Sequence, residues 1–167
     1  MLRRTFIAAK DIESEVSRWQ ERIDIIRHKL KFIRALPAVA CIEGLDPLQT
    51  AGERVPALVE IAGGNALNSE NGRLPAPPDI IVLMLPGKTL TESLGLAGTL
   101  MEQPWVPESP AFRNERLYVV DCHTYFQPSG EGLMQSIEIL AEIINAGDFY
   151  FGFEGTGWTQ FVTGGKG

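Results

Sequence analysis

The chain has 167 residues, of which 44% are apolar and 22% are charged, and its formal net charge is −6. This length allows one domain with a well-formed core and is too short for two large domains. The negative charge and the lack of a basic run argue against nucleic-acid binding, and no stretch approaches the roughly 20 apolar residues of a membrane span.

The first predicted element is a long helix within residues 1–36. Apolar side chains recur from Ile12 to Ile33 at alternating steps of four and three residues, which is the spacing of one helical face. Such a stripe either lies along the chain's own domain or pairs with another copy or with a separate lobe. We expect a homodimer, or a complex with a partner, and the residues expected to hold it are Val16, Trp19, Ile23 and Ile26.

Between residues 37 and 160, apolar runs suited to buried strands alternate with segments suited to helices. Strands are predicted at 38–43, 79–85 and 117–121, and helices at 54–62, 89–101 and 130–144. This alternation predicts an α/β fold, a small three-layer lobe with a parallel sheet between helices. The segment 64–79 is rich in Asn, Gly and Pro and is predicted to be irregular, and residues 161–167 to be a flexible tail.

Of the two cysteines, Cys41 falls inside the first predicted strand and Cys122 lies at the end of the third. Buried free thiols are the simpler interpretation, because cysteine is among the most frequently buried residues. A disulfide between them requires that the two strands be neighbours. No Cys/His spacing typical of zinc occurs, so no metal site is predicted.

Four blocks of the chain resemble the substrate-binding proteins of cobalamin-type ABC transporters. The stretch 40–64, ACIEGLDPLQTAGERVPALVEIAGG, is similar to that family's CIEWLDP…AG…VPELVELAGG signature, and PDIIVLML is similar to its PDVIVVMP strand. The run 112–144 and the FEGTGW segment at 153–158 continue the resemblance in the same order. The resemblance implies the C-terminal lobe of a periplasmic binding protein with a helical backbone, preceded by the helix that bridges its two lobes.

The resemblance also implies a domain that binds cobalamin, haem or a ferric siderophore, that is not an enzyme and that has no cofactor. The lobe that would precede residue 10 is not in the sequence, so we expect a truncated domain that binds its ligand weakly or needs a second lobe. Family members dock on an ABC permease through an acidic residue between the Gly-Gly turn and the second strand. This chain lacks that segment, which argues against docking.

Family members act outside the cytoplasmic membrane, so the resemblance implies a periplasmic or extracellular location. The N-terminal MLRRTFIAAK begins like a signal peptide, but Asp11 and Glu13 interrupt it before an apolar core develops. A chain that starts at Met1 as written is therefore expected in the cytoplasm.

The candidate ligand-binding residues follow the first and third predicted strands, where open α/β sheets bind their ligands; they are Glu43, Gly44, Asp46, His123 and Tyr125. The carboxylates of Glu43 and Asp46 can accept hydrogen bonds from amide groups of a ligand. Alternatively, Asp46 caps the turn or the following helix and Glu43 is simply solvated. By resemblance, Gly44 replaces a tryptophan of the family, and the loop with His123 and Tyr125 offers an aromatic ring to the corrin. The alternative for this loop is an aromatic ring that packs over the strand end.

Two other functions remain open. One is a degenerate interaction module that binds a protein through the first helix and retains no ligand. The other is a small hydrolase in which His123 is the base and Cys122 the nucleophile. Adjacent strand residues point to opposite faces, and the sequence has none of the common hydrolase motifs, which argues against the hydrolase.

Overall fold

A computed structural model describes residues 17, 19–33, 36–52, 54–126 and 131–161. The helices are α1 (Gln20–Leu30), α2 (Val55–Ile61), α3 (Leu90–Leu96), α4 (Pro110–Arg113) and α5 (Glu131–Ile144), and a 3-10 helix, Ala97–Glu102, continues α3. The strands are β1 (Ala38–Leu45), β2 (Leu48–Thr50), β3 (Asn65–Ala66), β4 (Ile80–Leu83), β5 (Leu117–Val120) and β6 (Trp158–Gln160). In the described part of the chain, no helix is both long enough and apolar enough to cross a membrane.

The centre of the sheet consists of the three predicted strands, and they are parallel. The strand order is β2-β1-β4-β5-β6, with β3 beside the start of β1. Ile42 of β1 lies beside Leu83 of β4, and Leu83 lies beside Val119 of β5. The carboxyl ends of the three strands therefore meet on one side of the sheet. We call the residues there, 43–47, 84–88 and 121–126, the carboxyl edge.

The three predicted strands form the parallel sheet that was expected, and two short antiparallel strands that were not predicted extend it. β2 turns back antiparallel to β1, and β6 runs antiparallel to β5. Each of these strands has three residues, which is too short for an alternating pattern to show in the sequence. Antiparallel strands at the margin of a parallel sheet are common, and here they flank its three central strands.

Helices cover both faces of the sheet, which confirms the three-layer architecture. Val39 and Cys41 of β1 face a core shared with α1, α2 and α5. Ala40 and Ile42 face the opposite core, where they meet the 3-10 helix and α4. Successive strand residues point to opposite faces, so the continuous apolar run of β1 fills both cores.

Helix α1 packs on the chain's own domain. Ile23 and Ile26 are buried in the core shared with α5, and Trp19 packs partly against it. The expected dimer contact through Ile23 and Ile26 is therefore wrong, because both side chains are already covered. Val16, the fourth expected contact, lies outside the described residues, as does the start of the stripe at Ile12.

An ion-pair cluster joins α1 to α5. The Arg22 guanidinium contacts the nearly buried Glu138 carboxylate and lies 2.9 Å from the Glu131 carboxylate. Hydrogen bonding to Glu138 raises the pKa of Arg22, with a smaller contribution from Glu131 and against the effect of burial. This pairing fixes the polar side of α1 while the isoleucines fix its apolar side.

The C-terminal part of the chain joins the sheet. Phe161 is buried, and its N–H donates to the Leu117 carbonyl oxygen at 2.9 Å. The rest of the predicted tail, residues 162–167, lies outside the described residues.

Candidate ligand-binding edge

The first side of the carboxyl edge is the hairpin between β1 and β2. β1 extends to Leu45, so Glu43 lies inside the strand and not after it. Ile42 pairs with Thr50 and Gly44 pairs with Gln49, which leaves Glu43 as the extra residue of a β-bulge. Bulges re-aim side chains and are frequent beside functional sites.

Gly44 and Asp46 follow Glu43 in the same hairpin. A Cβ atom at Gly44 would lie 3.6 Å from the Gln49 Cβ, an ordinary contact, so the hairpin itself does not require glycine there. Asp46 is exposed in the turn, and its side chain makes no hydrogen bond within the described residues. The described residues therefore show no capping role for Asp46.

The second side of the edge is the loop after β5, which is organised by Asp121. Its carboxylate oxygen Oδ1 accepts hydrogen bonds from the N–H groups of His123 at 2.8 Å and Thr124 at 3.1 Å. The N–H groups of Cys122 and His123 also donate to the Lys88 carbonyl oxygen, at 2.9 and 3.1 Å. The loops after β4 and β5 are thus tied together, and the imidazole of His123 is held at the exposed end of β5.

Tyr125 is partly buried beside the core. Its ring meets the Phe153 ring edge-on, with 5.5 Å between centroids and 79° between planes. Part of the tyrosine therefore packs over the strand end, as the alternative interpretation proposed, and the remaining part is accessible to solvent.

The residue after Tyr125 is held in an unusual conformation. Phe126 has a φ of 62°, a region that bulky side chains rarely adopt. Its N–H donates to the buried Ser136 hydroxyl at 2.7 Å, and that hydroxyl donates to the Gly132 carbonyl at 2.6 Å. This connection to α5 restrains the loop next to Tyr125.

Carboxylates from both sides of the carboxyl edge affect the pKa of one buried thiol, Cys122. Burial, with smaller contributions from the carboxylates of Asp121 and Glu43, raises the pKa of Cys122 to about 12. Glu43 and Asp121 therefore lie close enough to act on one group. Burial likewise raises the pKa of Cys41 to about 12.

These thiols fit a structural role. Both cysteines are buried and free, as predicted, and β4 separates the strands that carry them, so the condition for a disulfide is not met. The high pKa of Cys122 keeps it protonated near neutral pH, so it is not a ready nucleophile. The Asp121 carboxylate oxygen Oδ1 accepts hydrogen bonds from backbone N–H groups, which gives Asp121 a structural role in the loop.

Helix α3 begins at the same edge, with a capping box. The Thr89 hydroxyl accepts a hydrogen bond from the Glu92 N–H, and the Glu92 carboxylate accepts one from the Thr89 N–H. The hydrogen bonds to Thr89 lower the pKa of Glu92, with smaller contributions from Lys88 and His123. Lys88 and Glu92 thus place a positive and a negative charge near each other where α3 begins.

Sequence reasoning missed Glu142, which supports the site from beneath. This nearly buried carboxylate accepts hydrogen bonds from the N–H groups of Phe151, Gly152 and Phe153 and from the Trp158 indole. It therefore positions Phe153, against which Tyr125 packs. Glu138 and Glu142 stand four residues apart in the stretch 137–144, which is otherwise apolar, and that pattern was the available signal.

Among the described residues, no group of three or more His, Cys, Asp or Glu side chains is arranged to hold a metal ion. His28, the second histidine, is exposed on α1, and its ring meets the Phe32 ring edge-on.

Comparison with known proteins identifies the fold. No family model matches the chain, and no curated protein matches it. Solved structures do match. The TroA-like periplasmic binding protein FepB from Veillonella parvula has a TM-score of 0.57 and 20% identity over 81% of this chain and 47% of its own.

Two further solved structures agree with this match. IsdE of S. aureus, solved in complex with heme, has a TM-score of 0.61 and 16% identity over 79% of this chain and 56% of its own. The periplasmic heme-binding protein RhuT from Roseiflexus sp. RS-1 has a TM-score of 0.55 and 22% identity over 79% of this chain and 54% of its own. The chain thus has the fold of part of a periplasmic binding protein and spans about half the length of these proteins.

Proposed function

We propose that this chain is one lobe of a substrate-binding protein and that its carboxyl edge forms one wall of the ligand site. The ligand class is a metal chelate: haem, a corrin such as cobalamin, or a ferric siderophore. The observation that carries the proposal is the parallel arrangement of β1, β4 and β5, which places the sequence-derived candidates at one edge. Ligands of open α/β sheets bind at that edge, and proteins of this fold include one solved with two hemes.

Four of the five candidate residues have a role in this proposal. Tyr125 offers a flat apolar surface and a hydroxyl donor, and the His123 imidazole is a group that can ligate haem iron. Glu43, re-aimed by the bulge, and Asp46 accept hydrogen bonds from amide groups of the ligand. The exposed positions of Asp46 and His123 leave both side chains accessible.

A single lobe provides a single wall. Ligand sites bury most of their ligand's surface, so a second lobe is needed for tight binding. We expect the chain alone to bind with a dissociation constant on the order of micromolar or weaker. In this proposal the complete receptor acts outside the cytoplasmic membrane and serves an ABC permease, with docking contacts supplied from outside residues 64–79.

The proposal is tested by titrating the purified chain with hemin and with cyanocobalamin, followed by visible absorbance. Replacement of His123 by Ala should remove the spectral signature of an iron-bound imidazole, and Tyr125→Ala should weaken binding. His28→Ala is the matched control, because His28 is an exposed histidine on α1 and not at the edge. Nanomolar binding by the monomeric chain, or equal spectra for the His123 and His28 variants with both ligands, would contradict the proposal.

A second candidate function is the interaction module, which a different observation favours. Ile25, Phe32 and Leu36 are 54%, 78% and 63% exposed on α1 and the segment after it. This apolar surface differs from the buried Ile23 and Ile26 face. Sedimentation of the wild type against an Ile25→Glu, Phe32→Glu double variant tests it: a dimer that the variant abolishes supports the module, and a wild type that stays monomeric at high concentration rules out self-association through this surface.

A further inference from the structure

One cavity borders the carboxyl edge and shares none of its residues. It is a groove of about 550 Å³ on the face of the sheet covered by α3 and α4, between the loop 72–78 and the segment 105–109. We call it the lateral groove. Its volume lies within the roughly 300–1,000 Å³ of small-molecule sites.

The floor and sides of the lateral groove are apolar. Leu48 at the start of β2 is buried beneath it. The partly buried Leu74 and Trp105 pack against the core that contains Ala40 and Ile42. A tryptophan ring offers a large contact surface, so a partly exposed tryptophan in a concave site is a favourable platform for a planar or apolar group.

The first wall is preformed by a tight turn. Asn71 and Gly72 have φ angles of 53° and 74°, and Glu70 and Arg73 exchange backbone hydrogen bonds of 2.8 and 3.1 Å. Asn-Gly in this geometry is a two-residue turn with a well-defined direction. The turn fixes the backbone of Arg73 at the mouth of the groove.

The opposite wall is equally well anchored. The Gln103 side-chain amide donates to the Leu45 carbonyl at 3.3 Å, and the Ser109 hydroxyl donates to the Val106 carbonyl at 2.7 Å. Val106 is fully buried next to Trp105. The groove is therefore built by hydrogen-bonded segments on both sides, and binding would not have to order its walls.

Charges of opposite sign line the groove without neutralising each other. Arg73 and Glu108 are both exposed lining residues. Among the residues that the structure describes, both ion pairs are made by Arg22, and neither Arg73 nor Glu108 has a side-chain hydrogen bond. A guanidinium fork matches a carboxylate, and a carboxylate matches an ammonium group.

We propose that the lateral groove is a second binding site, for a small zwitterion with an apolar body, of which an aromatic α-amino acid is the simplest form. The carboxylate of the ligand pairs with Arg73, its ammonium group pairs with Glu108, and its apolar body lies against Trp105 and Leu74. The residues that line the groove are not those of the carboxyl edge, so this proposal and the metal-chelate proposal can fail separately.

The experiment follows the indole N–H signals of the protein in ¹H–¹⁵N spectra during titration with L-phenylalanine. Trp105 should shift saturably, whereas Trp19, on α1, and Trp158, bonded to Glu142, serve as internal controls. Phenethylamine, which lacks the carboxylate, and N-acetyl-L-phenylalanine, which lacks the ammonium group, should each bind at least about tenfold more weakly.

Single-charge variants complete the test. Arg73→Gln and Glu108→Gln should each weaken L-phenylalanine binding by at least about tenfold, because each removes one charge-assisted contact. Arg113→Gln and Glu102→Gln are the matched controls, since both residues are exposed nearby and neither lines the groove. The proposal is overturned by the lack of a saturable Trp105 shift, by a shift that the groove variants leave unchanged, or by a Trp105 signal that moves only with protein concentration, which would indicate a second copy in the groove.

Discussion

Glu142 is the residue that fixes the aromatic C-terminal segment to α5. Its two carboxylate oxygens accept three backbone N–H groups and one indole N–H, at 2.7 to 3.2 Å. A buried carboxylate costs much free energy unless it is fully hydrogen-bonded, and here four donors satisfy it. These four hydrogen bonds offset the cost of burying the carboxylate and attach residues 151–158 to α5 in one specific geometry.

Replacing this carboxylate by an amide should destabilise the fold. Glu142→Gln puts an NH₂ group where an oxygen accepts hydrogen bonds, and donors then face donors. We expect a loss of about 1–3 kcal/mol in the free energy of unfolding, measured by urea denaturation. Glu60→Gln, at an exposed position on α2, is the control and should change stability by less than about 0.5 kcal/mol. Equal stability of the two variants would show that Glu142 does not anchor the segment.

The two thiols give a prediction about pH. Because burial raises the pKa of Cys41 and Cys122 to about 12, both stay protonated in the folded state at pH 9 and 10. In the unfolded chain they ionise near their ordinary pKa of about 8.5. The contribution of the thiols to stability should therefore be complete below about pH 8 and should fall as the pH rises toward 12.

The loss of stability is measured by urea denaturation at pH 8 and pH 10. The burial of the thiols is measured by their rate of reaction with Ellman's reagent at pH 8, with and without denaturant. Native protein should react slowly at both thiols, and unfolded protein should react at once. A Cys122→Ala variant separates the two sites, leaving Cys41. Rapid labelling of Cys122 in the native protein, without loss of structure, would contradict its burial.

At the scale of elements, two adjacent glycines allow the layers to meet. A Cβ atom on Gly64 would lie 2.9 Å from methyl carbons of both Val39 and Val59, and 3.1 Å from Ile144. Gly63 has a φ of 100°, and its missing Cβ leaves room for Leu30 of α1. The end of α2 can therefore approach β1, α5 and α1 together only because these side chains are absent.

Adding a methyl group should separate these elements. Gly64→Ala is expected to cost about 1–3 kcal/mol through overpacking. Gly98→Ala in the 3-10 helix is the matched control, because nothing lies within 4 Å of its Cβ position. That variant should be neutral or slightly stabilising, since alanine favours helix more than glycine. Thermal unfolding of both variants gives the comparison, and a Gly64 variant as stable as the Gly98 variant would mean that the layers are packed more loosely than described.

The elements also show which parts of the fold the sequence could predict. β4 is a continuous apolar run and α5 has an apolar face, and both were predicted within two residues of their bounds. β2 and β6 were missed because three residues carry no periodicity, and the Asn71-Gly72 turn was included in an irregular segment. At the edge, strand ends were predictable from the apolar runs. The bulge at Glu43 depends on the register between β1 and the short strand β2, and the packing of Tyr125 on Phe153 joins segments that are distant in the chain. The pattern of apolar residues encodes neither.

At the scale of the whole molecule, helices pack on the two faces of the sheet. The carboxyl ends of the three parallel strands lie together at one edge, between these faces. The same architecture occurs in periplasmic binding proteins that this chain matches over about half their length. In the proposed function the chain has a core of its own and supplies one wall of the ligand site, so we expect weak binding. The proposed function therefore requires that a metal-chelate ligand bind at the carboxyl edge and not at another surface.

Mapping the contact surface by ¹H–¹⁵N NMR tests this most directly. The diamagnetic ligands cyanocobalamin and gallium protoporphyrin are titrated into labelled protein, and backbone shifts are followed residue by residue. The account predicts saturable changes, for at least one of these ligands, confined to residues 43–47, 84–88 and 121–126, with apparent dissociation constants on the order of micromolar or weaker. Changes centred on the opposite ends of the strands, around Asp79 and Arg116, or no saturable change with either ligand, would contradict it.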